Sequence, residues 1–345
     1  MITVLQPGLL STIQDDGRQD YLAFGLPRAG VMDRYASRMA NLLCGNPFSA
    51  AVIEMTIMGG AFSFERPCRI ALCGADMGPR LNGAAIDNWT AVEVSKGDLL
   101  ETSYATSGCR SYLAVSGGFN VPVVMGSRST YIRAAIGGVE GRALRKNDRI
   151  PLGEMPPLPT GPRRLDPIFI PEYTDKIRLR IMLGPQEDLF HEDGIKTFLQ
   201  GEYRVTDEAD RMGYRLEGPA IRHLDKADIV SDALGRGAVQ VPGSGQPIVM
   251  MSDCGTTGGY AKIATVIGAD LWKLAQARPQ DSVRFSRCTD QEAVAALLEE
   301  KERYRLVAQR LVDPAVAAAS KKSDAHRMNL CINHKKYQIE IEEVK

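Results

Sequence analysis

Residues 235–268, GRGAVQVPGSGQPIVMMSDCGTTGGYAKIATVIG, pack eight glycines around two short apolar runs. Val239 and Val241 alternate with Gln240, as in a half-buried strand. Pro242, Gly243 and Gly245 make a turn, and 247–251 reads as a second, more deeply buried strand, so the pair predicts a hairpin. Beyond Asp253, residues 255–260 read as a loop in which Gly258 and Gly259 permit positive φ and leave their amides uncovered. Lys262 stands just past it. Such a loop can wrap a carbonyl or a phosphate, or its glycines can serve tight barrel turns alone.

Outward from this stretch the second half continues in the same idiom. Residues 177–183 form an apolar strand in which Arg178 and Arg180 alternate with Leu179 and Ile181, and Gly184-Pro185-Gln186 ends it. Arg211 and Arg215 flank Gly213 and can either grip an anion or pair with Asp207, Glu208 and Asp210. A short helix is expected over 269–277 and a strand over 283–286. Thr289 and Glu292 then form a capping box for a helix to about Val312. Val294, Leu297, Leu298, Tyr304, Val307 and Leu311 are its expected buried stripe.

The first half opens with a hairpin over 3–14 and the loop Asp15-Asp16-Gly17-Arg18. Asp33 is placed to cap a helix from Arg34 to about Cys44, with Gly45 after the last turn. Residues 52–115 read as strands of four to six residues between glycine turns, including 61–64, 69–73 and 112–115, which is the spacing of sandwiches and barrels. Polar turns ending in Asp98, Asp148 and Asp281 each precede a short strand, a recurrence in both halves that hints at two related barrels. Seven of the nineteen prolines fall within 151–171 and mark a linker. The expected division is therefore 1–155, a linker at 156–175, a second half at 176–312, and a tail at 313–345. In that tail, 327–344 alternates as one more hairpin turning near His334.

At 345 residues the chain has room for two domains. Its 42 basic and 42 acidic residues cancel, so no global field favours nucleic acid or an anionic membrane. No apolar run is long enough to span a bilayer, and the N-terminus lacks a signal-peptide pattern, so a cytoplasmic protein is expected. Seven cysteines without a C-x-x-C pair read as reduced thiols, and four scattered histidines give no metal-ligand spacing. No metal site is expected from protein ligands. There is no P-loop and no G-x-S-x-G elbow. A pair of Cys254 with His191 or His223 stays open as a nucleophile.

The run Gly237-Ala238-Val239-Gln240-Val241-Pro242, then Gly245-Gln246-Pro247-Ile248, then Asp253, Thr256, Gly258-Gly259-Tyr260 and Lys262-Ile263 closely resembles the signature of the allophanate hydrolase subunit 2 family. That family is also called the biotin-dependent carboxyltransferase A/B family. Thr12 to Arg18, Gly30-Val31-Met32-Asp33, Gly74-Ala75-Asp76, Gly137-Gly138 through Arg142, and Asp210-Arg211-Met212-Gly213 fit the same pattern. The likeness covers about residues 1–312. It departs at Cys254-Gly255, where an arginine and a polar residue are expected, and at Ala261, where proline is usual.

The resemblance implies a mainly β fold with a few helices, arranged as two cyclophilin-like β-barrel subdomains with a cleft between them. It also implies one of three roles. The first is the C subunit of an ATP-dependent 5-oxoprolinase, working with an allophanate hydrolase subunit 1-type (B) subunit and an A-type subunit on a lactam, with ATP and Mg. The second is a carboxyltransferase acting on urea or a related amide, with biotin carried on another chain. The tail hairpin resembles the opening of a biotinyl carrier, but no M-K-M occurs, so this chain is not expected to carry biotin itself. The third is a non-enzymatic regulator that binds a kinase inhibitor.

Both enzymatic roles pass through negatively charged oxygens that amides and cations stabilise. Lys262, Asp253, Asp33 and Asp15 are the catalytic candidates, with Asp76 as a further base or magnesium ligand. Arg18, Arg142, Arg211, Arg215, Gln240, Gln246, Thr256, Gly258, Gly259 and Tyr260 are the candidates for substrate or anion binding.

Overall fold

The computed structural model describes residues 1–155 and 163–312, and as backbone the strands Ala325–Ile332 and Lys335–Glu342. The first half is built of two sheets. Six strands, in the order Arg149–Ile150, Ile2–Gln6, Ala61–Phe64, Leu99–Glu101, Arg80–Leu81 and Ala84–Ala85, form one. Leu10–Gln14, Val52–Thr56, Ser107–Val115, Cys68–Asp76 and Ala91–Val94 form the other. Ile2, Val4, Phe62 and Phe64 of the first meet Ile13, Ile53, Ile70, Leu72 and Leu113 of the second in one core. Each such side chain contributes about 1.5–3 kcal/mol on full burial.

Two strands here are longer than the glycine spacing suggests. Gly74, just past the expected strand 69–73, and Gly108 lie inside the nine-residue strands Cys68–Asp76 and Ser107–Val115, where the pairing register shifts. Gly74 has φ +98°, and a Cβ there would stand 2.4 Å from the Arg110 carbonyl oxygen. Its glycine permits a bulge rather than ending a strand.

Helix α1 (Arg34–Leu43) lies on the outer face of the five-stranded sheet and buries Tyr35, Ala36, Met39, Ala40 and Leu43. Asp33 caps it as expected, accepting from the Ala36 amide at 3.0 Å, and Gly45 follows in the left-handed region. The described part of the expected linker is packed: Arg163 and Leu165 are buried, and Asp166 caps a single turn at Pro167–Phe169. Residues 156–162 lie outside the described residues.

The second half closes into a seven-stranded barrel, in the order Lys176–Leu183, Lys262–Val266, Ala238–Gln240, Ile248–Met250, Gly213–Glu217, Tyr203–Val205 and Ser282–Arg287. The expected hairpin is present, with Val239 opposite Val249. Leu179 and Ile181 point into the barrel core with Val239, Val249, Ile263, Val283 and Phe285. Helix α2 (Glu192–Gln200), capped by His191, was not anticipated, and the short α3 (Leu271–Ala275) falls where a helix was expected.

Helix α4 (Asp290–Val312) spans both halves. The Thr289–Glu292 capping box forms, and Ala293 and Ala296 pack with Ile267 and Cys288 of the barrel side. Tyr304 and Val307 reach back onto the α1 layer, the Tyr304 ring lying 5.7 Å from that of Tyr35. This corrects the expected stripe: Val294, Leu297 and Leu298 are exposed because the small Ala293 and Ala296 face the barrel instead. In the tail, Ala325–Ile332 pairs antiparallel with Lys335–Glu342, the hairpin the alternation predicts.

Candidate functional site

Part of the motif gathers at the junction between the halves, at one mouth of the barrel, and in a groove on its side. At the junction Arg211, contributed by the loop before Gly213–Glu217, donates from Nε and Nη2 to Asp253 at 3.0 and 2.8 Å. Its Nη1 donates to Glu54 at 2.5 Å, and Nη2 also reaches the Gly30 carbonyl at 2.7 Å. Burial opposes the charge on Arg211, but Asp253 and Glu54 outweigh it and its pKa is raised. Glu54 also accepts from the Met32 amide at 2.8 Å, and Arg110 stands 4.0 Å away. Arg110 in turn donates to the Tyr214 hydroxyl and the Ala275 carbonyl at 2.5 and 2.6 Å.

Gln276 completes the seam. Its carbonyl accepts from the Cys109 and Arg110 amides, both at 2.9 Å, and its amide donates to Asp33 at 2.8 Å and to the Arg110 carbonyl at 3.0 Å. Sequence reading did not single out Gln276, Glu54 or Arg110, since nothing local marks a glutamine beside a short helix as a bridge. Arg18 is 1% exposed and donates to the Ser129 carbonyl at 2.6 Å, while its Nε and Nη1 are buried without a partner among the described residues. Burial lowers its pKa against the opposing pull of Asp15 and Asp253.

The catalytic candidates are placed by their own contacts. Asp33 is fully buried, with one oxygen on the α1 cap and the other on Gln276, so it links the helix to the junction. Asp15 accepts from the Ser127 and Ser129 hydroxyls at 2.5 and 2.6 Å and from the Arg128 and Gly17 amides, which fixes two loops of the first half. Asp76 accepts from the Gly78 amide at 2.9 Å in an exposed turn. Asp253 is occupied by Arg211. Arg142 is held by Asp148 at 2.7 and 2.9 Å and by Glu140 at 3.0 Å, in the turn that precedes Arg149–Ile150. Among the described residues, no three or more His, Cys, Asp or Glu side chains are grouped as a metal ion would need.

At the barrel mouth Lys262 donates to Asp232 at 2.7 Å and to the Ala233 carbonyl at 3.1 Å, its side chain 4% exposed. Gln186 joins them, donating to Asp232 at 3.1 Å and accepting from the Lys262 amide at 3.1 Å. The amide-lined loop expected at 255–260 is corrected. Residues Thr257–Tyr260 are a strand paired with Asp228–Ala233, and neither Gly258 nor Gly259 has positive φ. Gly258 is needed for space, since a Cβ there would come 2.4 Å from the Gln240 Nε2. Gln240 is buried and donates to the Tyr260 carbonyl at 3.3 Å. Thr256 accepts through its carbonyl from the Leu234 amide.

A groove of 720 Å³ on the barrel side brings Arg215, Gln246 and Tyr260 together. Arg215 pairs with Glu208 at 3.1 Å, and Gln246 is bonded both ways to Gly218. Cys254 is buried and its thiol is pushed up to about 11 by burial, which leaves little thiolate at neutral pH. His191 caps α2 and the His223 Nε2 bonds the Val241 carbonyl, so neither is paired with that thiol.

The open space at the junction is lined by residues the motifs did not include. Arg28, Arg34, Arg38 and Arg236 surround a cleft of 250 Å³ between α1, α4 and the barrel. The signal was present as Arg34 and Arg38, one helical turn apart on α1.

A model of the carboxyltransferase domain, subdomain A and B, matches residues 24–287. The chain belongs to the carboxyltransferase A/B family. It is 35% identical to the 5-oxoprolinase C subunit of Escherichia coli (strain K12) over 311 residues, 90% of this chain and 99% of that one. The Haemophilus influenzae 5-oxoprolinase C subunit is 34% identical over 91% of this chain and 99% of its own. Urea amidolyase of Saccharomyces cerevisiae is 32% identical over 82% of this chain, which spans 16% of that protein. The crystal structure of Kluyveromyces lactis urea amidolyase aligns with TM-score 0.81 at 30% identity, covering 85% of this chain and 19% of that one. In this carboxyltransferase A/B chain the matched region ends at the last barrel strand, before α4. Among the described residues no helix is long and apolar enough to cross a membrane, and all six described cysteines are free.

Proposed function

We propose that this chain is the C subunit of a cytoplasmic, ATP-dependent 5-oxoprolinase, acting with B-type and A-type subunits to open 5-oxoproline to glutamate. The observation that carries the reading is the likeness to two 5-oxoprolinase C subunits, 35% and 34% identical and matched over 99% of each, against 32% identity to the urea amidolyase. The junction is compatible with the chemistry the reading demands. Activating a lactam oxygen with ATP creates phosphate oxyanions, and the arginines at the cleft offer the guanidinium forks that such groups need. Magnesium would then be held by the nucleotide or by a partner, since the candidate carboxylates of this chain are engaged elsewhere.

A second reading, transfer of carboxylate from biotin on another chain, is favoured by the 0.81 TM-score to the urea amidolyase structure. One assay separates them. The chain is co-purified with its B-type and A-type partners and phosphate release is followed with and without 5-oxoproline. Oxoproline-stimulated phosphate release with glutamate formation is expected. A folded, assembled complex that releases none would overturn the reading and turn the search to carboxybiotin.

A further inference from the structure

The cleft at the junction is an electrostatic anomaly in a chain with zero net charge. Four guanidiniums line it, and among the described residues the one carboxylate ion-paired with any of them is Asp16, 3.4 Å from Arg38. Among the described residues the Arg28 guanidinium donates only to the Asp16 backbone carbonyl, and that of Arg236 only to the Met32 carbonyl. The Nε atoms of Arg38 and Arg236 are buried with no partner among the described residues. Glu300 also lines the cleft, but accepts from the Tyr304 hydroxyl at 2.8 Å. Burial, followed by repulsion from Arg34, brings Arg236 down to about 10, and the same two causes lower Arg28. Clustered like charges with orphaned donors destabilise a fold unless an anion offsets them.

We propose that this cleft is a binding site for the oxyanion group of a small molecule, a phosphate or a carboxylate, with Arg34, Arg38 and Arg236 as its donors. Arg34 and Arg38 come from the first half and Arg236 from the second, so the bound group ties the two halves together. Guanidinium forks match both oxyanions in geometry, and the small volume suits a phosphoryl or carboxylate group rather than a polypeptide segment. That the group belongs to ATP or to 5-oxoproline rests on the proposed function; the site itself does not.

Isothermal titration of the full chain with inorganic phosphate, ATP and 5-oxoproline, each at two salt concentrations, tests the site. Trp272 lines the cleft and supplies a fluorescence readout, since the only other tryptophan, Trp89, is buried in the first half. At least one probe is expected to bind, more weakly at high salt. Arg34→Gln and Arg236→Gln should each lower its affinity by at least about tenfold, or 1.4 kcal/mol. Arg149→Gln, on the surface beside Glu65, should not.

Binding of phosphate and ATP alone assigns the cleft to a phosphoryl group; binding of 5-oxoproline alone assigns it to a carboxylate. Arg34 has no side-chain hydrogen bond among the described residues, so its variant keeps the test intact if Arg236→Gln does not fold. No binding by any probe, or binding that both variants leave unchanged, overturns the site. Because turnover by the assembled complex is not measured, an inactive complex would leave this result standing, and an active one would not rescue it.

Discussion

Asp33 takes part in two structures at once, the cap of α1 and the bridge to Gln276, and at 0% exposure it does so away from water. Burial outweighs the hydrogen bonds from Ala36 and Gln276 and raises its pKa to about 6. A carboxyl whose folded pKa lies above its unfolded value binds its proton more tightly when folded. Its contribution is therefore full below the unfolded value near 3.8 and is lost as pH rises through about 6. The destabilisation by Asp33→Ala should accordingly be larger at about pH 5 than at about pH 7.5, by roughly 1.4 kcal/mol. Urea titrations of both proteins at the two pH values measure this, and an equal or reversed difference would refute it. Lys262 shows the same economy of partners: the candidate cation is already engaged by Asp232 and the Ala233 carbonyl. For it to meet a substrate, that substrate must displace Asp232, which is half-exposed at the barrel mouth.

The strand Thr257–Tyr260 carries the densest part of the family motif, and its two glycines serve different ends. Gly258 lies against the Gln240 side chain, whereas the nearest atom to a Cβ at Gly259 is 3.9 Å away. Neither has positive φ. Alanine at 259 should be neutral or slightly stabilising, because a strand loses less entropy with alanine than with glycine. Alanine at 258 must push Gln240 aside and break its bond to the Tyr260 carbonyl, costing about 1–2 kcal/mol. Thermal melts of the two variants decide this; equal melting temperatures would show that Gly258 is not needed for space. Helix α4 makes a related point. Its apolar residues read as one stripe, yet alanines take the contact with the barrel and leave Val294, Leu297 and Leu298 on the outside.

The two halves are joined by a network of buried polar contacts. Gln276 makes four bonds across the junction or along it, and Arg211 binds both Asp253 of its own half and Glu54 of the other. Removing one partner leaves the others buried without compensation, so Arg211→Leu should cost about 3–5 kcal/mol. Because the network belongs to both halves, calorimetry should still show one transition, shifted down; two separated transitions would show that the halves unfold independently. The β-rich character, the α1 cap, the hairpin at 238–250, the capping box at Thr289 and the family motif were all legible in the bare chain, since each depends on residues a few positions apart. Arg211 and Asp253 were also among its candidates. Which candidates meet is a property of the folded molecule alone. Arg211 and Glu54 are 157 residues apart and Asp33 and Gln276 are 243 apart, and pairing at such separations leaves no local periodicity to read. For the same reason only the Arg34 and Arg38 pair of the arginine cleft was legible: four arginines from three segments become one site only when the halves close on each other.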